Sequence, residues 1–154
     1  MSLTNTEEIY TAKIDIFSQN RHANSVSMAN ADYQINLPSF IGNKRYIRVF
    51  VENFNIAIKT LSPEEIICVR LTTQSQVNSY DTSSSGSSNL LITCIKQGAS
   101  DYGITASNNY NGINIGSLPV GNINIRITNA HNADLVLVNN VNDYSLHLRI
   151  EAYD

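Results

Sequence analysis

The sequence contains no tryptophan, only three prolines and two cysteines, and few charges for its 154 residues. Charged residues make up 15% of the chain, whereas an average soluble protein has about a quarter. The formal net charge is −3, and the ten lysines and arginines are scattered. Nucleic acid is therefore not expected as the main partner, since binding to phosphates needs clustered cations. No apolar run approaches the roughly 20 residues of a membrane span, so membrane insertion is not expected either.

Motifs that would indicate a reaction are also missing. There is no Gly-x-Ser-x-Gly elbow and no glycine-rich phosphate loop. The three histidines, His22, His131 and His147, lie far apart in the sequence without a recognised metal-ligand spacing. Glu64 and Glu65 are adjacent in a predicted turn instead of facing each other across a cleft. The sequence thus predicts a protein that is not an enzyme and uses no cofactor or metal.

What the chain does contain is a strict alternation of apolar and polar residues. In the segment 122–128, three isoleucines alternate with polar residues. Successive side chains of a strand point to opposite faces, so this period of two indicates half-buried β-strands. The pattern and the intervening turn residues predict strands at Ile9–Phe17, Ser25–Leu37, Arg45–Ile58, Ile66–Thr73, Leu90–Lys96, Tyr102–Ala106, Ile113–Leu118, Gly121–Thr128, Leu135–Val138 and Tyr144–Ala152.

This spacing of strands predicts an all-β fold, an antiparallel β-sandwich of about eight strands. Eight strands in two sheets favour a single jelly roll over other Greek-key sandwiches. The length suits one domain, which we place at residues 9–154 after a flexible amino-terminal arm at residues 1–8. The two cysteines, Cys68 and Cys94, are predicted in strands, either as buried free thiols or as a cross-strand disulfide.

The longest candidate strand, 45–58, has apolar residues on both faces. Regular alternation separates three aliphatic from three aromatic side chains: Ile47, Val49 and Val51 on one face, and Tyr46, Phe50 and Phe54 on the other. A second apolar face needs a cover, which a symmetric oligomer can supply. The sequence therefore predicts a homo-oligomer.

Contacts with partners are expected in the amino-terminal arm and in two polar loops. The candidate residues are Thr4, Asn5 and Ile9 in or beside the arm, Tyr80 and Asp81 in the first loop, and Tyr102, Asn108, Asn109 and Tyr110 in the second. The loop around Tyr80, with its serine run at 83–88, is expected to be exposed and mobile. The loop tyrosines allow two interpretations, since they suit subunit contacts as well as stacking on a carbohydrate.

Two stretches carry a family resemblance. The first is Ile67-Cys68-Val69-Arg70-Leu71 with residues 74–81 and the serine run into 89–91, and the second is 116–123 continuing through 127–129 to 144–151. Together they resemble small single-jelly-roll virion proteins of large DNA viruses and their relatives, the minor capsid, penton and cement components. The resemblance implies trimers or pentamers that contact a major capsid protein, and it implies no catalytic residues.

The expected function is therefore that of a non-enzymatic structural component of a virus particle. Such a protein would assemble in the host cell cytoplasm, reside in the virion, and bind other capsid proteins through sandwich edges, loops and the arm. The alternative is a lectin-like or receptor-binding head that binds carbohydrate with its loop tyrosines and asparagines.

Overall fold

The structure is a computed structural model that describes residues 8–57, 66–73, 80–83, 88–95, 112–116 and 121–154. Within these ranges the chain forms eight strands, one turn of 3-10 helix at Ser18–Asn20 and a four-residue helix, α1, at Ser39–Gly42. The strands are β1 (Tyr10–Phe17), β2 (Asn30–Ile35), β3 (Tyr46–Ile56), β4 (Ile66–Leu71), β5 (Leu90–Ile95), β6 (Ile113–Ile115), β7 (Gly121–Thr128) and β8 (Tyr144–Tyr153).

The strands form two antiparallel sheets of four. The order is β1-β8-β3-β6 in sheet 1 and β2-β7-β4-β5 in sheet 2. Each strand from the first half of the chain pairs with its counterpart counted from the other end: β1 with β8, β2 with β7, β3 with β6, and β4 with β5. The predicted all-β sandwich of about eight strands is therefore confirmed.

The core lies between the inward faces of the two sheets. In β7 and β8 every second residue is buried, as the alternation predicts. The buried residues of these two strands include Ile123, Ile125, Ile127, Leu146, Leu148 and Ile150, none more than 2% exposed. Burying a side chain of this size contributes about 2 kcal/mol. The central strands of both sheets therefore supply much of the energy that holds the sandwich together.

A hydrogen-bonded pair of tyrosines joins the two sheets inside this core. The Tyr33 hydroxyl on β2 lies 2.6 Å from the Tyr144 hydroxyl on β8. Tyr144 donates in turn to the Met28 carbonyl at 3.0 Å. Burial is the main cause that raises the pKa of both phenols, so both stay neutral at physiological pH. These bonds satisfy two hydroxyls that would otherwise be buried without partners.

A β-bulge in β3 corrects the predicted faces of that strand. Val51 is opposite Leu148 on β8, whereas the next pair is Asn53 with His147, so Glu52 is the extra residue. A bulge shifts the alternation by one position. As a result Phe54 is fully buried in the core instead of sharing the outer face with Tyr46 and Phe50. The regular alternation predicted for 45–58 was wrong beyond Val51.

Other predicted strands are shorter or absent: 66–73 and 113–118 end early, at Leu71 and Ile115, 25–37 starts late, and 135–138 does not form. Of 25–37, only Asn30–Ile35 forms a strand, because Ser27 and Asn30 exchange backbone hydrogen bonds of 3.2 and 3.3 Å that close a tight turn before it. No strand forms at 135–138, where the Val138 amide donates to the Asn142 side chain at 2.8 Å. The predicted strand at 102–106 and residues 1–7 of the predicted arm lie outside the described residues.

Candidate interaction surfaces

Aromatic rings lie on both faces of sheet 1 at the end where β1 begins and β8 ends: Tyr10 is on the core side, whereas Tyr46 and Tyr153 are on the outer side. The Tyr10 ring meets the Phe40 ring edge-on, with centroids 5.2 Å apart, and Tyr46 stacks on Tyr153 at 5.3 Å. Ile9, Phe40 and Tyr46 are 57%, 49% and 48% exposed. We call these five residues the terminal patch. Apolar surface of this kind, grouped at one end of a sandwich, is typical of contact sites.

Charges of both signs lie among the rings of the terminal patch. Lys44 Nζ is 3.0 Å from the Asp154 carboxylate and 4.7 Å from the centroid of the Tyr10 ring. The Arg45 amide also donates to Asp154, at 3.3 Å, and its guanidinium lies 6.0 Å from the Tyr46 ring. The hydrogen bond from Lys44 is the main cause that lowers the pKa of Asp154. The Asp154 carboxylate is thus paired with Lys44 and Arg45 of the same chain, next to the rings.

A buried arginine on the outer face of sheet 2 forms hydrogen bonds with three other segments of the chain. Arg70 on β4 is only 1% exposed, and each of its three guanidinium nitrogens has a partner. Nε donates to Thr128 Oγ1 at 3.1 Å, Nη1 to Asn89 Oδ1 at 3.0 Å, and Nη2 to Ser83 Oγ at 2.6 Å. Buried charge is tolerated only with such complete pairing. The segments around Ser83 and Asn89 therefore cover this part of β4.

Asp81 supplies the negative charge opposite Arg70. Its Oδ2 lies 3.6 Å from Arg70 Nη1 and accepts a hydrogen bond from Ser88 Oγ at 2.6 Å. The Ser83 amide donates to Oδ1 at 2.9 Å, and the Ser83 hydroxyl contacts the same oxygen. The hydrogen bonds from Ser83 and Ser88 are the largest causes that lower the pKa of Asp81, to about 2. Both oxygens of the Asp81 carboxylate thus have hydrogen-bond or ion-pair partners within the chain.

The serine-rich loop differs from its prediction in the parts that the structure describes. Ser88 is 2% exposed, and Asp81 and Ser83 are partly buried against β4. The expectation of a wholly exposed loop was wrong for these residues. Ser83 and Asp81 contact Arg70 on β4, and Ser88 donates a hydrogen bond to Asp81. Tyr80, the residue directly before Asp81, is 75% exposed.

At Phe50, the outer face of β3 is covered by residues of this same chain. The Arg149 guanidinium lies 4.0 Å from the centroid of the Phe50 ring and bonds to Glu52 and Glu151 at 2.6 Å each. Gly112 approaches the ring as well: a Cβ built there would lie 2.9 Å from it. Phe50 is consequently only 8% exposed. Of the three aromatic residues predicted to need a neighbouring chain as cover, only Tyr46 remains exposed.

The two cysteines are buried free thiols, one of the two interpretations left open by the sequence. In the β4–β5 ladder Cys68 is opposite Thr93, whereas Cys94 is opposite Ile67. Since adjacent register positions point to opposite faces, the two sulfurs lie on different sides of sheet 2. Burial is the main cause that raises the pKa of both thiols, that of Cys94 to about 12.

We expect neither thiol to react in the folded protein, because burial and a raised pKa suppress the thiolate. In a titration with Ellman's reagent at about pH 8, both thiols should appear only after unfolding in guanidinium. Rapid reaction of the native protein would contradict the burial. The absence of two free thiols after unfolding would contradict the ladder register.

Only three of the predicted contact residues lie in described parts of the chain: Ile9, Tyr80 and Asp81. Thr4, Asn5, Tyr102, Asn108, Asn109 and Tyr110 lie outside them. Sequence reasoning missed the other members of the terminal patch. The signal available for them was a set of aromatic residues at strand ends, next to the cations Lys44 and Arg45.

The described residues reveal no cluster of three or more His, Cys, Asp or Glu side chains able to hold a metal ion. In the same parts of the chain, no helix has the length and apolar character needed to cross a bilayer.

The sequence matches no protein-family model, and no curated protein is significantly similar to it.

Proposed function

We propose that this chain is a non-enzymatic structural component of a virus particle, of the minor capsid, penton or cement type. In this role it resides in the virion, assembles in the host cell cytoplasm, and contacts copies of itself and a major capsid protein. The proposal rests on the resemblance of the sequence to small single-jelly-roll virion proteins, on the strand order, and on the terminal patch.

The strand order supports a single jelly roll as the type of sandwich. Pairing each strand with its counterpart from the other end of the chain is what results when one long hairpin of four strand pairs is rolled up. The links β8–β3 and β7–β4 then close the two sheets of four. Eight strands in two such sheets is the arrangement of double-sheet jelly rolls.

The terminal patch is the observation that carries the proposal of assembly. Three of its side chains are about half exposed although they are apolar or aromatic, and aromatic residues are enriched where proteins bind each other. Among the described residues β1 pairs with β8 alone, so its other edge offers free main-chain groups beside the patch.

Replacing Ile9 and Tyr46 together by serine should weaken self-association. We expect the dissociation constant to rise by about tenfold or more, because two half-exposed anchors lose their apolar contact area. Sedimentation velocity over a series of protein concentrations measures this change.

The matched control replaces Val26 and Val136 by serine. These side chains are even more exposed, 80% and 85%, but they lie in the connections at the opposite end of the sandwich. The control should associate like the unaltered protein. Equal weakening by both double variants, or none by the first, would contradict a contact through the terminal patch.

A further inference from the structure

A pocket of about 500 Å³ opens on the outer face of sheet 1, at the end opposite the terminal patch. In the strand register, Ser145 on β8 lies between Phe17 on β1 and Asn55 on β3. A serine between two longer side chains leaves a depression on the sheet. The turn after β1 and the residue before β8 extend this depression with Gln19 and Asp143. Its volume is within the range of small-molecule sites.

The polar groups of the pocket are held in place by hydrogen bonds. Gln19 Nε2 donates to Asp143 Oδ2 at 3.1 Å, and the buried Ser18 hydroxyl lies 3.4 Å from Asp143 Oδ1. Ser18 Oγ also accepts from the Tyr144 amide at 3.0 Å, which ties this group to the start of β8. A carboxylate has about four acceptor positions, so Asp143 keeps capacity for a ligand.

An exposed ring forms one wall of the pocket. Phe17 is 45% exposed, and its ring is supported edge-on by His147 at 5.7 Å. A half-exposed phenylalanine at the end of an edge strand adds little to the core. Beside a carboxylate and the three side-chain amides of Gln19, Asn20 and Asn55, however, it offers a flat apolar surface next to hydrogen-bonding groups.

We propose that this pocket binds a neutral saccharide. One face of a sugar ring carries C–H groups that pack on Phe17, while adjacent hydroxyls donate to Asp143 and bond with the amides of Gln19 and Asn55. Among the described residues that line the pocket, Asp143 is the only charged one. An acidic sugar would be repelled by it, which restricts the ligand class to uncharged sugars.

This site differs from the one that the sequence suggested for carbohydrate. Tyr80 directly precedes Asp81, the ion-pair partner of Arg70 on sheet 2, and Tyr102 and Tyr110 lie outside the described residues. The proposal is also independent of the structural role proposed above, since either can fail without the other.

The test is a titration of the full chain with glucose, galactose, mannose, N-acetylglucosamine and sialic acid, followed by amide chemical shifts in NMR. We expect at least one neutral sugar to shift the amides of Phe17, Asn55 and Asp143. Phe17→Ala and Asp143→Asn should each weaken binding by about tenfold or more, since each removes a direct contact with the ligand.

Tyr80→Ala is the matched control, because it removes an exposed ring outside the pocket, and its affinity should be unchanged. Thermal unfolding of all three variants verifies that they fold. The proposal is overturned if no neutral sugar shifts these amides or if sialic acid is preferred. Loss of binding in Tyr80→Ala, with Phe17→Ala unaffected, would likewise overturn it.

Discussion

Replacing Asp81 by asparagine should lower the free energy of unfolding by about 3 kcal/mol, which is typical when one partner of a buried ion pair is removed. Arg70 is 1% exposed and has Asp81 as its anionic partner. Asparagine has one acceptor oxygen where Asp81 uses both of its oxygens, so hydrogen bonds from Ser83 or Ser88 are lost as well. Urea unfolding followed by circular dichroism measures the difference.

The matched control is Asp134→Asn, in the connection that follows β7 of the same sheet. Asp134 accepts from Arg126 Nε at 2.7 Å, but the two side chains are 34% and 21% exposed. A partly exposed pair of this kind contributes about 0–1 kcal/mol. A loss as large in Asp134→Asn as in Asp81→Asn would show that burial of Arg70 is not the cause.

The same pair has a defined pH dependence. The pKa of Asp81 is lowered from 3.8 to about 2 in the folded chain. A lowered carboxyl pKa stabilises the folded state above the unfolded pKa, and this contribution is lost as the pH falls through the folded pKa. The stability difference between the unaltered protein and Asp81→Asn should therefore shrink by about 2 kcal/mol between about pH 4 and pH 2.

Phe54→Ala should destabilise the protein by about 4 kcal/mol, as expected for a fully buried phenylalanine replaced by alanine. Phe54 is 0% exposed and packs among the core residues of both sheets, with its ring centroid 6.1 Å from that of Tyr144. Tyr46→Ala, on the same strand but 48% exposed, should change the stability by about 0.5 kcal/mol or less. Chemical denaturation of both variants measures the two values.

This comparison tests the bulge at Glu52 directly. With regular alternation along β3, Phe54 would share the outer face with Tyr46, and the two substitutions would have similarly small effects. With the bulge, they differ by several kcal/mol. A small effect of Phe54→Ala would contradict the register of β3 against β8.

The strands were predictable where one face is buried and alternation is uninterrupted. Gly121–Thr128 has the predicted bounds, and β8 extends the predicted strand by one residue, to Tyr153. The bulge was missed although the sequence carries a signal for it: the apolar residues fall at 47, 49 and 51 before the consecutive polar pair Glu52-Asn53, and at 54, 56 and 58 after it. It exists because β3 has to keep its pairing with β8 across the whole ladder, and that pairing is tertiary information.

The candidate sites were less predictable because they join residues far apart in the sequence. Arg149 contacts Phe50 only because β8 pairs with β3. Asp81 lies near Arg70 only because the segment around Asp81 packs against β4. The pocket residues Phe17, Ser145 and Asn55 come from three strands. Single-sequence patterns show which residues face outward, but strand order decides which of them meet.

The native mass of the unaltered protein tests the proposed assembly most directly. We expect sedimentation velocity at physiological salt to show a concentration-dependent oligomer built from 17.0 kDa copies, such as the trimer or pentamer that the resemblance implies. A species of one chain's mass at every concentration, unchanged when capsid proteins of a large DNA virus are added, would contradict it.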